Sequence, residues 1–234
     1  MKYLQTETIM GDNDSAEDAL PSTQKIERRL AELQQQLAGL DATAPLTERL
    51  QLGLDSGYAL LELNRFDEAS ALARPLLDRA LEANLWQQAV EACDIMFQSD
   101  QTDSVAALAH GIWLSVTFPI DPELTVAMLQ HLIDETPDRS DGAAVAAAVA
   151  NYIVDLRADE QSRENLLFFT NQLMGQVARR HSQVEEQEIF DFWVQQLELD
   201  QPEKFLPRLA KVLDLLVNGN WWYDRDALRA LIPD

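Results

Sequence analysis

The chain has 234 residues, 47% of them hydrophobic, enough for one large domain or two small ones and for burial of roughly 70–75% of the unfolded surface. Forty acidic side chains against eighteen basic ones give a net charge of −22, which argues against nucleic acid or anionic lipid as a partner. The single cysteine, Cys93, rules out an intramolecular disulfide framework. The Met1 end lacks a basic region followed by an apolar run. Gly142 to Val154, the longest apolar candidate, contains Asn151 and is bounded by Asp141 and Asp155, short of the roughly 18 apolar residues of a membrane helix. A cytoplasmic chain without a membrane segment is the expectation.

In chain order, residues 1–22 carry Glu7, Asp12, Asp14, Glu17 and Asp18 without helical or strand period, and read as a disordered acidic tail. A single all-helical domain is expected over 23–234. A helix should start near Ser22 or Thr23, with Ile26, Leu30, Leu33, Leu37 and Leu40 forming a heptad seam. That seam packs on the next hairpin, or pairs two copies of the chain as a homodimer. Pro45 suits the first turn of a helix running to about Leu63, carrying Leu50, Leu54, Gly57, Leu60 and Leu61 on its apolar face. Asn64-Arg65 turns the chain. The next helix runs from Phe66 to about Ala83, with Pro75 predicting a kink or break. Trp86 to Phe97 forms another, carrying Ala89, Ala92, Cys93 and Met96 on one face.

Thr102 is placed to cap a helix ending before Pro119. Asp121-Pro122-Glu123 is a start signal for a helix that ends at Thr136. Ser140 or Asp141 opens a helix with Ala143, Ala144, Ala146, Ala147, Ala148 and Ala150, whose small side chains predict a central, closely surrounded position. A helix from about Glu160 to Arg180 follows, and Ser182-Gln183-Val184-Glu185 reads as a capping box for the next. Asp200-Gln201-Pro202-Glu203 starts a helix that closes near Asn218-Gly219, and Asp224 caps a short last one.

Gly57, Leu60, Asn64, Phe66 and Ala69 are spaced as in a tetratricopeptide repeat, and Trp86 with Ala89 repeats the device of Phe66 with Ala69. The segment resembles that family over about one repeat, and the resemblance implies antiparallel helical hairpins. Hairpins starting near Leu46, Trp86, Pro122, Glu160 and Pro202 are about 36 to 42 residues apart, a spacing that suits stacked repeats. No run has the alternation and composition of a strand. The expected fold is all-α, as a solenoid like that of tetratricopeptide proteins or as a compact helical array.

No residue set encodes a reaction. Gly53 and Gly57 lie inside a helical pattern and not in a phosphate loop. Cys93 sits among apolar neighbours, as an inert buried thiol does. His110, His131 and His181 lack metal-ligand spacing, so no catalytic residue, metal or cofactor is expected. Glu185, Glu186, Glu188 and Asp191 gather at a helix start, where a solvated helix end, a weak cation patch or a surface for a basic partner are all consistent. Phe190, Trp193 and Leu197 have core spacing. Trp221, Trp222 and Tyr223 follow a turn, either locking the C-terminal helix onto the body or anchoring a partner.

The functional reading is a non-enzymatic protein-interaction module, a scaffold, adaptor or assembly chaperone with an acidic surface for a protein partner. Trp221, Trp222, Tyr223, Glu185, Glu186 and Glu188 are its candidate contacts. The alternatives are a chaperone for maturation of one enzyme, a helical metal-dependent enzyme assembled from distant residues such as His110 and His131, and a nucleic-acid mimic.

Overall fold

A computed structural model describes residues 2–4 and 16–232, and the secondary structure of these residues is helical without strands. The helices are α1 (Ala16–Gly39), α2 (Leu46–Glu62), α3 (Phe66–Glu82), α4 (Trp86–Gln98), α5 (Ser104–Thr117), α6 (Pro122–Glu135), α7 (Asp141–Arg157), α8 (Glu160–Ser182), α9 (Gln187–Gln196), α10 (Pro202–Leu216) and α11 (Arg225–Arg229). Most pack against sequence neighbours, as expected for a hairpin array, while α10 packs on α7. Contacts group the chain into two compact units, Gln5–Ala107 and Leu108–Asp234 with Met1–Leu4, where one domain over 23–234 was expected.

In the first unit α2 packs on α1, α3 and α4. The α2–α3 and α3–α4 turns are built alike. Asn64 and Asn84 both take φ 56°, the left-handed conformation that asparagine tolerates best after glycine. The following N–H groups, of Arg65 and Leu85, return to the carbonyls of Leu60 and Ala80, each at 2.9 Å. One closing device thus recurs twenty residues apart, at the two Asn-x-aromatic steps. Gly53 and Gly57 let α2 approach closely: a Cβ would lie 2.9 Å from Leu76 of α3 at the first, and 2.8 Å from Ile95 of α4 at the second. Pro75 does not break α3, which runs on to Glu82. Pro75 and Ala71, whose carbonyl loses its donor to the proline, are both exposed, so the missing bond falls on the solvent side of the helix. The heptad seam faces α2, with Leu30 buried and Ile26, Leu33, Leu37 and Leu40 half-buried.

Of the tail expected over residues 1–22, residues 1 and 5–15 lie outside the described residues, and 16–22 form the first turns of α1. Tyr3 and Leu4 belong to the second unit. Their backbone N–H groups donate to Glu123 Oε1 at 2.7 and 3.2 Å, and the Leu4 side chain is buried.

The second unit is built around α7, which α6, α8 and α10 all contact. All six of its alanines from Ala143 to Ala150 are buried, as expected of a central small-residue helix. Ala147 is fully buried, and Ala147→Leu should cost about 1–3 kcal/mol, because the added carbons must displace a neighbouring helix. Urea melts check this, since a peripheral position would leave the midpoint unchanged. Caps hold the helix starts: the side chains of Asp121, Ser140 and Asp224 accept from Glu123, Gly142 and Asp226. Three arginines hold helix ends. Arg157 donates to Ser115, Val116 and Phe118 carbonyls at the end of α5, at 2.7, 2.6 and 2.9 Å. Arg180 donates to Ile133 O at the end of α6 at 2.9 Å, and Arg208 to Leu197 O after α9 at 2.5 Å.

The capping box expected at Ser182 does not form. Ser182 is the last residue of α8, Gln183 closes that helix in the left-handed conformation, and α9 starts at Gln187 without a side-chain cap bond from Glu186. The basic last turn, Arg179-Arg180-His181, favours extending α8 to this point through its negative C-terminal end.

Candidate interaction surface

The acidic residues singled out in the sequence lie on α9 and the corner leading into it. The inner face of α9 is fixed by Trp193, which is buried, with Phe190 and Leu197 half-buried beside it. The Trp193 indole N–H donates to His181 Nδ1 at 3.2 Å, which places the ring proton on Nε2, 3.1 Å from Asp141 Oδ1. Asp141 also meets Arg208 at 3.4 Å, so this chain of contacts ties α9 to α7, α8 and α10.

At 100° per residue Ile189, Phe192 and Gln196 fall on one stripe that flanks the buried face, with Ile189 one turn before Trp193 and Phe192 turned further outward. Phe192 is 62% exposed and Ile189 51%. Glu185, Glu186, Glu188 and Asp191 are exposed around them. From Gln183 through Glu203 the chain carries Glu185, Glu186, Glu188, Asp191, Glu198, Asp200 and Glu203 and no base. Of the adjoining bases, Arg180 and Arg208 hold helix ends, Lys204 lies 3.9 Å from Glu198 of the run, and Arg179 lies at its start. Between α8 and α9 a groove of about 360 Å³ is lined by Gly175, Arg179, Val184, Glu185, Glu186 and Phe190. Glu185 and Glu186 therefore share one site, whereas Glu188 stands outside the groove lining.

The aromatic residues go to a different place. Trp222 stacks on the His110 ring of α5, centroids 4.0 Å apart at 20°, while Trp221 and Tyr223 meet it edge-on at 4.9 and 5.0 Å. Tyr223 donates its hydroxyl proton to His110 O at 2.9 Å. The Trp221 indole N–H donates to Asp214 Oδ1 at 3.0 Å, and the Arg225 guanidinium lies 4.1 Å above its ring and 2.9 Å from the same carboxylate. His110 is fully buried and Trp113 nearly so. All three C-terminal rings are thus half-buried against α5 and the end of α10. Leu231 is exposed, and His110 supplies the stacking surface of Trp222.

In the first unit Glu91 and Asp94 are buried carboxylates on α4. Tyr58 and Gln98 donate to Asp94, each at 2.9 Å, and Gln51 and Gln87 to Glu91, each at 3.4 Å, so neither buried carboxyl group lacks donors. Cys93 beside them is fully buried, and desolvation pushes its thiol up from the ordinary value, against nucleophilic use. Among the described residues no three carboxylate, imidazole or thiol groups converge as a metal site would require, and no helix is long and apolar enough to cross a membrane.

Sequence reasoning placed Phe190 and Trp193 inward correctly but did not draw the consequence for Phe192. A residue between two core positions on a helix is turned outward, so the signal was present. His110 as the stacking partner of Trp222 had no such signal. No match to the chain is found among protein-family models, curated proteins or solved structures.

Proposed function

We propose that the chain is a non-enzymatic protein-interaction module, a scaffold, adaptor or assembly chaperone, that presents an acidic helical surface to a partner with a basic face. The observation that carries this reading is the base-free acidic run from Gln183 to Glu203, exposed along α9. Clustered exposed charge of one sign steers an oppositely charged partner and rejects like-charged ones, at little cost in desolvation while the charges stay at the rim. The repeat-like α2–α3 hairpin supports it, because stacked hairpins hold side chains on a rigid frame.

Affinity capture with the intact chain tests it, beside a Glu185→Lys/Glu186→Lys/Glu188→Lys variant. Captured basic proteins that are released by salt and missed by the variant support the reading. Capture that is indifferent to salt and to the three substitutions overturns it. One observation favours a second reading, a homodimer through α1: Ile26, Leu33, Leu37 and Leu40 keep part of their surface in solvent. Sedimentation of the intact chain and of Leu33→Glu/Leu37→Glu decides that point separately.

A further inference from the structure

We propose that the exposed flank of α9 carrying Ile189 and Phe192 docks an amphipathic helix of a partner protein, one with an apolar stripe flanked by lysine or arginine. This inference rests on the acidic-surface reading and narrows it from a basic partner to a basic helix of defined pattern. Scattered exposed apolar residues are ordinary on a protein surface. Here two large ones, Ile189 and Phe192, sit three residues apart on one helix, with about half or more of each in water. The stripe is held rigid from its buried side by Trp193 on His181 and by Arg208 on the Leu197 carbonyl. An anchor that does not move loses little entropy on binding.

The charges decide what can cover it. Glu188, one turn before Phe192, borders the stripe, and Glu185 and Asp191 are exposed nearby, so a second copy of the same face would bring carboxylates against carboxylates, and anionic lipid would be repelled in the same way. A helix bearing lysine or arginine beside its apolar residues meets both demands. Its aliphatic stems extend the apolar contact while the charged ends reach the rim carboxylates. The partner segment must also satisfy its own backbone, because helices of this chain pair theirs internally and offer no sheet edge. A helix does so, and from Gln187 to Gln196 α9 is roughly 15 Å long, enough for nearly three turns of it.

The test uses two amidated synthetic peptides of about 18 residues, long enough to cover the face. One has leucines on a single helical stripe with lysines elsewhere. The other has the same composition rearranged to abolish the stripe. Both are titrated against the intact chain and against Ile189→Ala/Phe192→Ala by fluorescence anisotropy at low and high salt. Because both side chains are exposed, the double variant should keep the melting temperature of the parent. The striped peptide should bind about tenfold or more tighter than its rearranged form, lose about tenfold on the double variant, and weaken with salt.

Equal affinity for both peptides, or no loss on the double variant, overturns the helix inference. If such binding still disappears with salt and with Glu185→Lys/Glu186→Lys/Glu188→Lys, the broader acidic-surface reading survives. Binding of neither peptide also overturns the inference, leaving the capture experiment to judge the broader reading. A concentration-dependent dimer abolished by Ile189→Ala/Phe192→Ala would assign the stripe to a second copy and overturn it as well.

Discussion

Arg157→Met is expected to lower the stability of the second unit by about 3–5 kcal/mol, among the largest losses for a single side chain that is not an aromatic. The last carbonyls of a helix have no donor inside it, and one guanidinium reaches three of them here, on Ser115, Val116 and Phe118. Each charge-assisted bond is worth about 1.5–3 kcal/mol. The sum is reduced because Arg157 is partly desolvated, which lowers its basicity without neutralising it. Methionine keeps the aliphatic stem and removes the donors, so packing alone cannot account for the loss. Lysine keeps the charge but not the planar fork, and should fall between the two. Urea melts of the three proteins give the order. An unchanged midpoint for Arg157→Met would mean that water serves those carbonyls as well as the guanidinium does.

Arg157 also marks where reading from the sequence stops. Local signals held: Asp121 accepts from the Glu123 N–H at 2.9 Å, Asp224 caps α11, and the chain closes α10 with Asn218 and Gly219, both at positive φ. These depend on residues a few positions apart, and the sequence contains them whole. The alanines of α7 could be read as central because burial among close neighbours is the common use of many small side chains on one helix. Bonds from Arg157 to residues 39 to 42 positions earlier cannot be read this way, since many carbonyls compete for any one arginine. Ser182 failed for a related reason. Its capping pattern was real, but the preceding helix had the stronger claim to the residue, taking Ser182 as its last and Gln183 as its left-handed close. At the interaction surface, the acids were legible as composition and the exposure of Phe192 as phase. The depth of Trp193 beneath them required the contact with His181 from the neighbouring helix.

Trp222→Ala should cost about 2–4 kcal/mol, somewhat below the range for a fully buried tryptophan because part of the ring meets solvent. Its stack on His110 is the closest of the ring contacts that close the C-terminal segment over α5. Deleting it removes one face of a buried imidazole and loosens Tyr223, whose hydroxyl bond to the His110 carbonyl holds the same turn. Trp221→Phe is a milder test, because the ring stays under Arg225 while the indole bond to Asp214 is lost, and Arg225 remains beside that carboxylate. It should cost about 1 kcal/mol. Melts of both variants separate lock from anchor when they are set beside partner capture. If the rings only lock the C-terminal segment, each variant still captures the α9 partner at temperatures where it is folded. A Trp222→Ala protein with parental stability and lost capture would instead make the ring a partner contact, and the lock would fall.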